Sequence, residues 1–159
     1  MRTRSSLIGR SRTPTPHAAA AGVLDAIASA EVVIVCPSNP IVSIAPIRAV
    51  PGVEEALVAA RDRVVAVSPI VAGAALKGPA DRMLAELGHE VSVVGVARIY
   101  APIASRLVID DADAALASAV EAEGVACTVV PTIMSGPAEA AGLARAVVGH
   151  RAPDAGVSR

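Results

Sequence analysis

Apolar residues along this chain follow two rhythms. Short, β-branched runs over residues 32–36, 63–67, 106–109 and 126–130 predict buried strands, and an alternating run over 90–94 predicts one more. Between them, stretches in which Ala, Leu and Val recur on one face predict helices over 22–30, 52–61, 79–87, 113–123 and 137–148, with a shorter one around 96–105. Pro51 and Gly52 stand at the start of the second helix, with Glu54 and Glu55 where the helix dipole favours acids, and Gly88 closes the third. Strands separated by helices of this length need crossovers, so the expected fold is α/β and Rossmann-like, a mostly parallel sheet with helices on both faces.

The run at 32–36 reads as a central strand covered on both faces, and it must stop at Pro37, because neither Pro37 nor Pro40 can donate to a neighbouring strand. After that stop come small hydrogen-bonding groups: Ser38, Asn39 and Ser43 around Pro40. A second loop, residues 68–79, has the same character, with Ser68, Pro69, Gly73, Lys77 and Gly78. In parallel α/β sheets ligands bind where strands end and helices begin. Ser38, Asn39, Pro40, Ser43, Ser68, Pro69, Gly73 and Lys77 are therefore the candidate binding residues, Lys77 being the single lysine of the chain and a point charge suited to phosphate. The other reading is that these are proline turns whose Ser and Asn satisfy their own backbone. Loss of one hydrogen bond from Asn39 to a charged ligand is expected to weaken binding by roughly 1.5 to 3 kcal/mol and to leave stability nearly intact.

Composition narrows the picture further. Hydrophobic residues make up 53% of the 159 residues and Tyr100 is the only aromatic, so the core is built from Ala, Val, Leu and Ile. A net charge of -1 and the lack of stacking aromatics argue against nucleic-acid binding. No apolar run is long enough for a membrane span. Cys36 and Cys127 lie in apolar runs without a CxxC partner and are expected to be reduced core thiols of a cytoplasmic protein. Residues 1–21 carry four arginines and no acid and read as a disordered basic leader, 22–150 as one α/β domain, and 151–159 as a flexible tail.

Several chemistries lack their motifs. The dinucleotide glycine fingerprint, the phosphate-binding GxxxxGK[ST] loop and the GxSxG elbow are absent, and His17, His89 and His150 are scattered. Asp110, Asp111 and Asp113 could hold magnesium, although acids between a strand and a helix are more commonly N-caps. Asp81 reads as a helix-dipole acid.

At the two loops the sequence resembles the 2-phospho-L-lactate transferase and phosphoenolpyruvate transferase family of coenzyme F420 biosynthesis. The matching segments are CPSNPIVSIAPIRAVPG (36–52), SPIVAG (68–73), KGPADRMLAELGHEVS (77–92), VGVARIY (94–100) and TIMSGPAEAAGLA (132–144). The resemblance implies transfer of a phospholactyl or phosphoenolpyruvyl group from a guanosine diphosphate-linked donor to the hydroxyl of the deazaflavin Fo, with release of GMP. It also implies Mg2+ dependence and a homodimer or a pairing with an N-terminal half. The family's glycine-rich GGTGG-type loop and acidic NTGDD-type motif are not found here, and residues 1–21 stand in their place. The expectation is therefore a C-terminal half with its metal ligands elsewhere, inactive in transfer on its own. The alternative is a non-catalytic α/β module for nucleotide binding or subunit pairing. Ala45 and Ala72 stand where the family is expected to have glycine, and Pro102 where it is expected to have an acid.

Overall fold

The computed structural model describes residues 19–75 and 78–149. Most of the basic leader, Lys77, residue 150 and the tail lie outside the described residues. The elements in chain order are α1 (Val23–Ser29), β1 (Val33–Val35), a π-helical turn (Pro40–Ile44), α2 (Ala45–Arg48), α3 (Val53–Ala59), β2 (Val64–Val67) and a two-stranded hairpin of β3 (Ile70–Val71) and β4 (Ala74–Ala75). There follow α4 (Ala80–Glu86), α5 (Val93–Tyr100), β5 (Arg106–Ile109), a 3-10 segment (Asp111–Leu116), α6 (Ala117–Ala122), β6 (Ala126–Val129) and α7 (Pro137–Gly149).

Four strands form an all-parallel sheet in the order β1-β2-β5-β6. This is the expected α/β, Rossmann-like architecture. The strands lie side by side in chain order, and their helices are shared unequally between the two faces. Val35, Val64, Ala66, Leu107 and Ile109 point to one face, where they pack with Val53 and Leu57 of α3, Leu84 of α4, Val93 and Val96 of α5 and Val120 of α6. Val65, Val67 and Val108 point to the other, against Leu143 and Val147 of α7.

Five local readings are corrected. The run at 32–36 forms an edge strand rather than a central one, and Ile34 is 41% exposed. A β-branched run cannot reveal whether a strand has one neighbour or two. Second, the polypeptide after Pro37 is a π-helical turn and a short helix, because Asn39 caps it: its Oδ1 accepts from Ile41 N at 2.9 Å and Val42 N at 3.3 Å. Third, residues 68–79 contain the β3–β4 hairpin. Fourth, no strand forms over 90–94; the Ser92 hydroxyl accepts from Val94 N and Gly95 N and starts α5 there, so the cap overrides a short alternation. Fifth, Cys36 is exposed and so is no core thiol, whereas Cys127 is half-buried and packs against the core; both are free.

One buried polar group stands out. Tyr100 is 1% exposed, its hydroxyl has no hydrogen-bond partner among the described residues, and burial pushes its phenol above the ordinary value. An orphaned buried hydroxyl costs free energy that a ring without it would not. Tyr100→Phe is expected to stabilise the fold by about 1 kcal/mol in urea denaturation. A lower midpoint would show that the hydroxyl makes a bond worth keeping.

Candidate functional site

The carboxyl ends of β1 and β2 and the segment after β6 meet around one cavity of about 690 Å3. Pro37, Ser38, Asn39, Val42 and Ser43 come from the π-helical turn and its approach, Ser68 and Pro69 from the end of β2, and Gly78, Pro79 and Ala80 from the entry to α4. Thr132, Ile133, Met134 and Ser135 complete it. Five of the eight candidate residues, Ser38, Asn39, Ser43, Ser68 and Pro69, therefore share one cavity. Pro40 is buried behind its wall, Gly73 sits at the hairpin tip with φ 75°, and Lys77 lies outside the described residues.

The polar groups divide by how they are engaged. Ser68 is spent locally: its hydroxyl donates to Ile70 O at 2.9 Å and accepts from Ile70 N at 3.1 Å. The carbonyl oxygen of Asn39 is likewise spent on its cap, while among the described residues its Nδ2 meets only the thioether of Met83 at 3.5 Å, a weak acceptor. That cap corrects the expectation that removing Asn39 leaves stability nearly intact, since an N-cap contributes about 1 kcal/mol. The hydroxyls of Ser38, Ser43 and Ser135 have no side-chain hydrogen bond among the described residues and remain free to serve a ligand. Among the described residues none that lines the cavity carries a charge. Val42, Ile133 and Met134, each about half-exposed, give the cavity apolar surface beside these donors.

The residues after β6 are the part of the cavity missing from the candidate set. Thr132 and Ser135 belong to the TIMSGPAEAAGLA segment, and the SGP turn before a helical pattern was the available signal. Asp110 holds this segment from behind. Its Oδ2 accepts from Thr132 N at 2.7 Å and from Thr132 Oγ1 at 3.0 Å, and its Oδ1 accepts from Ala112 N at 3.1 Å. Burial alone would raise its carboxyl, but these three bonds outweigh it and hold the group below the ordinary range.

Asp110 is thus the expected N-cap, and Asp113 accepts from Ala72 N at 2.9 Å. Three of their four carboxylate oxygens are thus engaged within the fold, both of Asp110's and Oδ2 of Asp113, by backbone amides and the Thr132 hydroxyl. Among the described residues no cluster of three metal-ligating side chains exists. Ala72 has φ 49°, so its position does favour glycine, whereas Ala45 has an ordinary helical φ of −59°.

The sequence matches the family described as 2-phospho-L-lactate transferase CofD over residues 4–131. It is 46% identical over 127 residues to the phosphoenolpyruvate transferase of Kitasatospora aureofaciens, covering 79% of this chain and 40% of that protein. It is 42% identical over 131 residues to the 2-phospho-L-lactate transferase of Methanothermobacter thermautotrophicus, covering 82% of this chain and 42% of that protein. The chain spans about 40% of the length of these curated relatives. The family match over most of the chain, and the two relatives more than 40% identical to it, make this protein a member of the 2-phospho-L-lactate transferase CofD family.

Proposed function

We propose that this chain supplies a substrate-binding half-site for a transferase of coenzyme F420 biosynthesis. The donor is guanosine diphosphate-linked and carries a phospholactyl or phosphoenolpyruvyl group; the acceptor is Fo. In the reaction an Fo hydroxyl oxygen bonds to the phosphorus of the transferred group, the bridging P–O bond to GMP breaks, and the hydroxyl proton is released. The single observation that supports this reading is the convergence of the three loop segments on one cavity with unspent hydroxyl donors at Ser38, Ser43 and Ser135. Transfer of this kind depends on positioning and charge balance rather than on a covalent residue. The lining offers neutral donors, so the proposed cation is Lys77, adjacent in sequence to the cavity residue Gly78. Magnesium, where used, would be held by groups outside the described residues, and no step here is assigned to it. Val42, Ile133 and Met134 give a planar ring such as that of Fo an apolar surface to rest on.

A second reading, subunit pairing, is favoured by β1, an edge strand whose Ile34 faces solvent. Pairing and binding are compatible, because the β1 edge is not part of the cavity lining.

Titration calorimetry with GDP and with Fo tests the binding proposal. Ser43→Ala and Ser135→Ala are expected to weaken one of the two ligands by roughly 1.5 to 3 kcal/mol, as for a lost bond to a charged group. The thermal midpoint should not move, because neither hydroxyl has a hydrogen-bond partner among the described residues. Absence of binding by the unmodified chain, or unchanged affinity in both variants, would remove the proposal.

A further inference from the structure

Two walls of the cavity are anchored by carboxylates that do not line it. The segment after β6 leaves the sheet at Val130, whose amide still donates to Ile109 O at 3.1 Å, and does not enter α7 until Pro137. Between those points both the amide and the hydroxyl of Thr132 go to Asp110. On another wall, Ser68 and Pro69 precede the β3–β4 hairpin and Gly78 and Pro79 follow it. The tip of that hairpin is fixed where Ala72 N donates to Asp113, in a backbone conformation that alanine rarely adopts. Asp110 and Asp113 belong to one turn, Asp113 N donating to Asp110 O at 2.9 Å, and both are buried.

We infer that Asp110 and Asp113 are positioning residues: one turn that clamps the Thr132–Ser135 wall with its first carboxylate and the β3–β4 hairpin with its second, so that affinity for a ligand in the cavity depends on two acids that do not touch it. The inference rests on the cavity being the binding site proposed above. Its physical basis is that the stretch between Val130 and Pro137 and the exposed tip of the hairpin, unlike the hairpin's buried base at Ile70, make few other hydrogen bonds among the described residues, and such segments open locally without global unfolding. An aspartate that accepts from two elements at once also has no neutral equivalent, since asparagine offers one carbonyl oxygen where Asp110 uses two.

Amide hydrogen exchange followed by NMR, with GDP affinity measured in parallel, tests the clamp. Asp110→Asn is expected to accelerate exchange at Thr132 by about tenfold, and Asp113→Ala to do the same at Ala72, as when a charge-assisted bond is lost. Val65 and Val108, in the central strands, should exchange as in the unmodified chain. Thr132→Val, which removes only the hydroxyl, is the milder variant should Asp110→Asn not fold, with a smaller acceleration confined to the same wall. GDP affinity should fall by about fivefold or more in each variant whose wall is freed. Unchanged wall amides, acceleration spread equally to Val65 and Val108, or freed walls with unaltered affinity would each overturn the inference. A chain that takes up no GDP would count against the proposed function, and the clamp is then judged on the exchange rates alone.

Discussion

Gly95→Ala is expected to be among the most destabilising single substitutions in this protein, at about 3 kcal/mol or more. In an exposed helix the same change would help, since alanine is the better helix former by about 1 kcal/mol. Gly95 instead lies within the first turn of α5, flanked by Val93, Val94, Val96 and Ala97, all buried. A Cβ there would stand 2.0 Å from Glu90 O, 2.9 Å from Glu90 C and 3.1 Å from Glu90 Cβ. Two of these are backbone atoms, so rotating a side chain gives no relief. The segment entering α5 would have to move, and with it the Ser92 cap, whose hydroxyl also donates to Glu90 at 2.6 Å. Against a total stability of about 5 to 15 kcal/mol for a domain, such a loss is large. Urea denaturation should show a much lower midpoint with an unchanged slope; an equal or higher midpoint would mean that the approach of Glu90 to α5 is not as close as described.

Leu84→Ala is expected to cost about 3 kcal/mol as well, by a different route. Leu84 is fully buried at the contact of α4 with the core formed by α3, α5 and the sheet. Its neighbours are largely Val, Ala and Ile, and the chain has no Phe or Trp. β-Branched side chains with one preferred rotamer cannot swing in to fill a vacated space, so a cavity persists and its cost adds to the lost transfer energy. The effect also reaches the candidate site: the neighbouring Met83 meets Asn39, and Ala80 at the start of the same helix lines the cavity. Equilibrium unfolding should report the loss, and the same variant should bind GDP more weakly while still folded at low temperature. A cost below about 1 kcal/mol would indicate that the surroundings collapse around the smaller side chain.

Much of this architecture was legible in the chain itself. The β-branched runs at β2, β5 and β6 and the helices closed by Gly88 and Gly124 are local signals, each written within a few consecutive residues, and they were enough for a parallel α/β sheet. The proline stop at Pro37, the small donors after β1 and β2, and the capping role of Asp110 are local too, which is why Ser38, Asn39, Ser43, Ser68 and Pro69 could be singled out before any partner was known.

What the tertiary structure alone decided concerns contacts between distant segments. That β1 is an edge strand with Ile34 exposed depends on which strands pair, a property no single run contains. Thr132–Ser135 joins the cavity because a carboxylate 22 residues earlier takes the Thr132 amide and hydroxyl. Ala72 is held at positive φ by Asp113, 41 residues away. Gly95 is required by the approach of the Glu90 carbonyl rather than by its own conformation. Hydrophobic period, proline and cap chemistry act over a few residues, and so they set which elements form and where donors concentrate. Which donors stay free, which acids become anchors and which segments share a cavity were settled only by packing, where each buried polar group must find a partner from whatever part of the chain the fold brings beside it.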